Sequence, residues 1–305
     1  MATVTGARRA RRGRQLQSLW GGYGELFRVE LDGGVAPTAV VKWVRPPAHA
    51  QATVSDVRKR RSYDVEAAFY RDVATRCDDT CRVARLYGSR IDGGEWWFVL
   101  EDLDSAGFAM RHDDADATSL AACLGWLAAF HARFLGDAGE GLWPTGTYWH
   151  LATRTDELPA IADPALRELA PIVDARLAAA HHQTILHGDP KEANFCFAAD
   201  GGSVAAVDFQ YAGRGCAMKD VAYLLYGRSD DDAAHLDTYF RELRATLARS
   251  SGAVDLAALE AEWRALYPFA RLDFCRFLAG WRPALWQRDR RGQEYVARFT
   301  AGELP

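Results

Sequence analysis

Within TILHGDPKEANFCF, residues 184–197, a His, two acids, a Lys and an Asn fall in eight positions between apolar runs. Polar groups beside a core are costly unless something uses them. Asp189 and Asn194 are five apart on a loop leaving an expected strand, and Asp208 stands fourteen further on, at the end of the next strand. Two oxygen donors from adjacent strand ends can converge on a hard cation, which makes Asn194 and Asp208 candidate magnesium ligands. Asp189, beside that pair, can accept the proton of a hydroxyl nucleophile. Lys191 can touch a transferring phosphoryl group as a point charge. His187 and Gly188 read as structural, one packing and bonding to hold the loop, the other permitting a tight backbone.

Metal-neutralised phosphates and an oriented hydroxyl are the requirements of phosphoryl transfer. Such a site needs a second half that holds a nucleotide, and the earlier part of the chain offers one. GGYGEL (21–26) presents backbone amides on a glycine turn at Gly22 and Gly24 to cover phosphates, a weak signal when alone. Lys42, inside the apolar strand VVKWV, needs an anionic partner, and Glu66 on the next expected helix supplies one. That pair would fix Lys42 against the α- and β-phosphates. FVLEDL (98–103) is a strand running into a hinge, where backbone groups could hold an adenine edge. The cofactors implied are ATP and Mg2+.

The elements that must position these residues follow from pattern. Residues 19–31 suggest a glycine-rich hairpin, and TAVVKWV (38–44) has the β-branched density of a strand. Residues 56–75 carry a helical repeat, and two further strands are expected at 82–91 and 95–103 around a DGG turn. Beyond about residue 104 the pattern turns helical: 118–135 behind a Thr/Ser cap, then 163–182 with Asp163 as cap and Pro164 in the first turn. A hairpin over 194–210 interrupts the helices before 218–286. The fold class expected is α+β with two lobes, a β-rich lobe at 1–103 containing one key helix and a mainly helical lobe at 104–305.

Bulk properties narrow the alternatives. A chain of 305 residues with net charge −4 can bury a large core, and neither a general nucleic-acid binder nor a membrane protein is expected. Residues 1–61 hold 12 Lys/Arg against 4 Asp/Glu, a local net of +8. The two basic runs, RRARRGR (8–14) and RKRR (58–61), read as a flexible N-terminal arm over 1–15 and a solvated loop, with an anion-attracting lobe as the alternative. Six cysteines without a CxxC pair or a secretory signal point to reduced thiols in a cytoplasmic protein.

With these residues in hand, the chain resembles the aminoglycoside phosphotransferase and choline kinase superfamily, which shares its fold with protein kinases. HGDPKEANF resembles that superfamily's catalytic loop and VDFQ its metal-binding segment. SYDVEAAFY, VLEDLDSAGF and FQYAGRGCAMKDVAYLL are similar to its ecdysteroid-kinase-like branch. The resemblance spans roughly residues 15–290 and implies Asp189 as catalytic base, magnesium on Asn194 and Asp208, and Lys42 with Glu66 positioning the nucleotide. It further implies that the backbones of Glu101 and Leu103 meet adenine, and that Asp220 braces the catalytic loop by accepting its amides. Gln210 departs from the family pattern, where protein kinases have Gly and many small-molecule kinases an acid. Phe27 stands where a third loop glycine would be.

The acceptor is expected to be a small-molecule hydroxyl: an apolar alcohol, an amino-alcohol or a sterol-like molecule. Residues 211–305 hold 13 Asp/Glu and 14 Lys/Arg, no acidic bias of the kind a polycationic aminoglycoside calls for. The DDD run (230–232) is read as a helix start. Trp263, Tyr267, Phe269, Phe274, Phe277, Trp281 and Trp286 supply aromatic surface, mostly for the core, with a few for a cleft. GLWPTGTYWH (141–150) could cover the acceptor. The alternatives are a nucleotide-binding protein without catalysis and, among enzymes, an aminoglycoside or macrolide kinase.

Overall fold

The computed structural model describes residues 2–47, 53–112, 116–228, 232–249 and 254–304. Five strands form one antiparallel sheet: β1 (Arg9–Ser18), β2 (Gly24–Asp32), β3 (Thr38–Val44), β4 (Leu86–Asp92) and β5 (Glu95–Glu101), in the order β1-β2-β3-β5-β4. Alternation along central β3 decides where Lys42 goes. Ala39 and Val41 pack with Phe27, Val29 and Val99 on one face. Lys42 and Val44 point to the other face, where a helix covers them.

The helices run in chain order as α1 (Ala2–Thr5), α2 (Val54–Ala68), α3 (Ala117–Arg133), α4 (Glu157–Ala160) and α5 (Pro164–Ala178). After them come α6 (Met218–Leu224), α7 (Asp232–Ala248), α8 (Leu256–Trp281), α9 (Pro283–Trp286) and α10 (Arg290–Thr300). Two small antiparallel pairs lie among them. β6 (Thr184–Leu186) pairs with β9 (Gly213–Gly215), and β7 (Phe195–Phe197) pairs with β8 (Val204–Ala206). The architecture is thus α+β, with an antiparallel sheet first and a helical part after it.

Capping sets the helix starts. Thr53 accepts from the Asp56 amide at 3.1 Å to open α2, and Asp163 accepts from Ala165 N at 2.9 Å to open α5, with Pro164 in its first turn. For α3 the cap is Asp116, whose carboxylate accepts from Ser119 N at 2.8 Å. The expected Thr/Ser cap is therefore displaced by a stronger acceptor two residues earlier, and Thr118 and Ser119 become helical. Asp232 is the first residue of α7 as expected, while Asp230 and Asp231 lie outside the described residues. Trp263, Tyr267, Phe269, Phe274 and Phe277 are buried, whereas Trp281 is 39% exposed.

Two expectations about basic runs are overturned. The segment read as a flexible arm is largely β1, held along its length to β2. Arg8, Arg11 and Arg12 pair across strands with Asp32, Glu30 and Glu25 respectively, and the Arg12 guanidinium lies 4.1 Å from the Phe27 ring centre. A strand that looks unsuitable by itself is supported by the alternating acids opposite it. RKRR (58–61) is helix, as the repeat over 56–75 implies and against the loop its charge suggests, because it falls inside capped α2. Arg58 and Lys59 are half-buried there.

The described cysteines are free thiols, and among the described residues no helix is long and apolar enough to cross a membrane.

Candidate active site

Lys42 is 5% exposed and Glu66, two residues before the end of α2, is 1% exposed. Their side chains meet in a double contact, Lys42 Nζ donating to the two Glu66 oxygens at 2.8 and 2.7 Å. An isolated ammonium at this depth would be costly, and one removed from a carboxylate at this spacing would leave that carboxylate stranded. Lys42 Nζ also donates to Asp208 Oδ1 at 3.3 Å. Burial pushes the Lys42 ammonium toward neutrality, but Asp208 and Glu66 outweigh it and its pKa is raised.

Asp208 follows β8 with φ of 69°, a left-handed backbone that costs a non-glycine residue free energy and turns its carboxylate into the cleft. Burial opposes its charge, yet Lys42, Lys59 and Lys191 together hold its pKa down to about 2. Gln210 Nε2 donates to the same Oδ1 at 2.7 Å. From its other end, Gln210 Oε1 accepts from Lys59 Nζ at 2.8 Å and from the Ser62 hydroxyl at 3.2 Å. The residue that departs from the family pattern therefore ties the Asp208 loop to α2.

The loop between β6 and β7 is braced from below by Asp220 in α6. Asp220 accepts the amides of His187 at 2.6 Å and Gly188 at 3.1 Å, and His131 approaches it at 3.3 Å. His187 is fully buried. Its Nε2 bonds the Val207 carbonyl at 3.0 Å and its Nδ1 accepts from Asp189 N at 3.3 Å. Burial lowers its pKa, which keeps the ring neutral in this bonding role. Gly188 has φ of 85°, and a Cβ there would lie 2.0 Å from the Tyr211 carbonyl oxygen, so no other residue fits without a backbone shift.

Asp189 thereby projects its carboxylate into the cleft. Oδ2 accepts from Lys191 Nζ and from Asn194 Nδ2, both at 3.1 Å, while Oδ1 is buried and makes no well-formed hydrogen bond, with the Tyr223 hydroxyl near enough to favour the carboxylate charge. Burial pushes its pKa up to about 6, against the pull of Lys191. A carboxylate with one oxygen free of a well-formed bond, raised in basicity, is suited to accept a proton from a hydroxyl. Asn194 spends its amide nitrogen on Asp189, with a further bond to the Asp189 carbonyl at 2.8 Å, which leaves its Oδ1 as the atom for a cation. Hard neutral and anionic oxygens at Asn194 and Asp208 fit magnesium chemically. Among the described residues no cluster of three His, Cys, Asp or Glu forms a metal cage, so phosphate oxygens would have to complete the shell.

The glycine turn joins β1 to β2 across Trp20–Gly22. Gly22 has φ of 75° and a Cβ there would meet nothing within 4 Å, whereas a Cβ on Gly24 would meet the Trp43 carbonyl oxygen at 2.0 Å. Tyr23 between them hydrogen-bonds Asp56 of α2, which anchors the turn to the helix carrying Glu66. At the end of β5, Glu101 N donates to Arg85 O at 2.8 Å and the Leu103 carbonyl accepts from Phe108 N at 2.8 Å. Arg28 of β2 clamps this hinge through Asp102, at 2.6 and 3.0 Å, and Asp104, at 2.5 Å.

Sequence reasoning missed Lys59, Tyr148 and Tyr223. Lys59, Tyr63 and Glu66 follow i, i+4, i+7 spacing, which places Lys59 on the face of α2 that carries Glu66. Tyr148 comes from the loop expected to cover the acceptor, and its hydroxyl meets that of Tyr223 at 3.4 Å. Both tyrosines border Asp189. Around them pack Trp149, Phe274 and Phe277, with Trp281 stacked on Phe277 at 5.2 Å. Arg154 covers the edge, 5.7 Å from the Tyr148 ring centre and 5.2 Å from that of Phe277.

Similarity to known proteins agrees with this geometry. The fold is similar to the ethanolamine kinase of Plasmodium vivax, at 12% identity and TM-score 0.51, covering 97% of this chain and 82% of that one. It is similar also to choline kinase LicA from Streptococcus pneumoniae, at 15% identity and TM-score 0.50, covering 94% of each chain, and to the same enzyme in complex with AMP, at 15% identity and TM-score 0.50, covering 96% and 94%. No curated protein sequence matches the chain. Residues 16–269 match the phosphotransferase enzyme family, APH, a span that runs from the glycine turn through Lys42, Glu66, Asp189, Asn194, Asp208 and Asp220 into α8. The chain belongs to the phosphotransferase enzyme family.

Proposed function

We propose that this phosphotransferase moves the terminal phosphoryl group of ATP onto a hydroxyl of a small molecule, with Asp189 as base. The observation that carries this reading is the buried Asp189 Oδ1, without a well-formed hydrogen bond, set between Asp208, whose charge three lysines favour, and an aromatic surface. In the step, the acceptor oxygen forms a bond to the γ-phosphorus and the bond from that phosphorus to the β–γ bridging oxygen breaks. The electron pair leaves with ADP, and the acceptor proton passes to Asp189. Lys191, bonded to Asp189 Oδ2, both orients that carboxylate and offers positive charge to the transferring group. Lys42, held by Glu66, binds phosphate oxygens, while Gly22 and Gly24 shape the turn above them and the Glu101 carbonyl and Leu103 amide meet the base. Asn194 and Asp208 would hold magnesium, which when bound neutralises phosphate charge. His187 and Asp220 support the loop.

The fold supports two lobes hinged near residue 103, with 1–103 holding the nucleotide and 104–305 the acceptor. Similarity to a kinase structure in complex with AMP is in keeping with nucleotide use. Tyr148, Tyr223 and Trp281 favour an acceptor with an apolar or aromatic body, in line with the sequence likeness to the ecdysteroid-kinase-like branch. Arg154 and the neighbouring Arg58 disfavour a polycation such as an aminoglycoside. The test is an ADP-release screen with magnesium–ATP over apolar alcohols, amino-alcohols, sterols and aminoglycosides. Turnover with an apolar or sterol-like alcohol is expected. Nucleotide binding without turnover on any alcohol would instead favour a non-catalytic nucleotide-binding protein.

A further inference from the structure

Three ammonium groups favour the Asp208 charge, and two of them have a carboxylate of their own. Lys42 has Glu66 and Lys191 has Asp189. Lys59 differs. Among the described residues no carboxylate lies within ion-pair distance of it, and its contacts are the amide oxygen of Gln210 at 2.8 Å and the Tyr63 ring, with 4.9 Å to the ring centre. The same ring lies 5.8 Å from Lys42 Nζ, so the two lysines flank Tyr63 on the cleft side of α2. Asp208 and Glu66 favour the Lys59 charge and Lys42 opposes it, but burial is the largest influence and lowers its pKa. A half-buried cation held only by a neutral amide and a ring face is poorly compensated.

An anion arriving in the cleft would supply the missing charge. Releasing the bond to Gln210 leaves that amide oxygen 3.2 Å from the Ser62 hydroxyl, which donates to the Lys59 carbonyl at 2.7 Å and can turn to the amide instead. Gln210 would retain its bond to Asp208 throughout. Resting on the ATP-dependent reading above, we propose that Lys59 is a further phosphate-binding residue of this cleft, contacting the terminal phosphate of ATP from the α2 side. Gln210 links it to Asp208, with Lys59 Nζ on the amide oxygen at 2.8 Å and Asp208 Oδ1 on the amide nitrogen at 2.7 Å, which puts Lys59 on the α2 side of that carboxylate. Lys59 takes no part in bond making. It offsets charge on the phosphoryl oxygens as the bridging bond breaks. The RKRR run then has a use that a solvated loop would not give it.

A purely structural Lys59 would matter equally whether or not a terminal phosphate is present. The experiment is therefore calorimetric binding of ATP and of ADP, each with magnesium, to wild type, Lys59→Met and Lys59→Arg. Thermal melting of each free protein accompanies the titrations. Expected is about a tenfold weaker ATP affinity for Lys59→Met, ADP affinity within about twofold of wild type, and substantial recovery of ATP binding in Lys59→Arg. Equal weakening for both nucleotides, or no weakening for either, overturns the role of Lys59 and leaves the kinase reading intact. Wild type binding neither nucleotide overturns the kinase reading itself. If Lys59→Met does not fold, Lys59→Gln keeps a polar head beside Gln210 and is held to the same ATP-against-ADP criterion.

Discussion

On the β3–α2 side of the cleft, charge meets charge; on the α6–α8 side, ring meets ring. Lys42, Glu66, Asp208 and Gln210 form a bonded polar set whose members fix one another at 2.7–3.3 Å. Across from them Tyr148, Tyr223, Trp149, Phe274 and Phe277 pack edge to face or tilted, with ring centres 4.8–6.2 Å apart. The contrast follows from what each half would have to recognise. Phosphates are alike in every nucleotide, and a charged set that fits them can be rigid. An acceptor body is recognised by shape, through contacts that are individually small and collectively large. Nucleotide binding should therefore depend on single residues, and acceptor binding on several rings at once.

Asp189 stands where the two halves meet, and its loss should have the largest effect. Asp189→Asn removes the proton acceptor while keeping size and the contacts of the loop. Turnover should fall by about 10³-fold or more, with ATP affinity changed by no more than about threefold. Wild-type turnover from a folded Asp189→Asn protein would show that the base lies elsewhere. Asp208→Ala comes next and acts on the charged half alone. It should abolish the tightening of ATP binding that magnesium gives in calorimetry, and turnover should drop by about 10²-fold or more. Equal magnesium-dependent tightening in wild type and variant would place the cation at other residues.

Lys42→Met sharpens the contrast further. Its ammonium binds Glu66 in the free protein and would bind phosphate as well in the complex, so its charge matters more with nucleotide present. Turnover or ATP affinity should fall by about 10²-fold, while Glu66→Gln, whose amide can still contact the lysine, should cost about tenfold. Leaving Glu66 buried without its partner destabilises the free protein too, so thermal melting with and without magnesium–ATP is part of the measurement. Unfolding with unchanged activity per folded molecule would make Lys42 a structural residue.

How legible each half was in the sequence follows the same division. The charged half could be read because its residue types are unusual where they stand: a lysine inside VVKWV, and acids and amides between apolar strands. The sheet was legible from β2 onward by alternation. β1 was not, because a strand of RARRGRQLQS is nearly all exposed and its support comes from acids on β2 that no local pattern in β1 reveals. The charge of RKRR suggests a solvated loop although the helical repeat over 56–75 already contains it, and the repeat is the better guide. Gln210 was visible as a departure, but its bonds to Asp208, Lys59 and Ser62 join segments far apart in the chain. In the aromatic half, Tyr148 on a loop and Tyr223 on α6 border Asp189, but nothing in the sequence sets them apart from the many aromatic residues that fill the core.

Tyr148 is where that half can be tested, and its effect should be the smallest. Its ring packs edge to face on Trp149, Tyr223 and Phe277, and Arg154 covers it. Removing the ring takes away one wall of the surface beside Asp189 while leaving Trp149, Phe274 and Phe277 buried in place. With contact spread over several rings, Tyr148→Ala should raise KM for the best alcohol from the ADP-release screen by about fivefold. The affinity for magnesium–ATP should stay within about twofold, because none of the charged set touches this ring. Tyr148→Phe keeps the ring and loses only a 3.4 Å contact to Tyr223, so it should stay near wild type in both measurements. Weaker ATP binding in Tyr148→Ala, or an unchanged KM, would break the division: the first would make the aromatic loop part of the nucleotide site, and the second would move the acceptor to another surface.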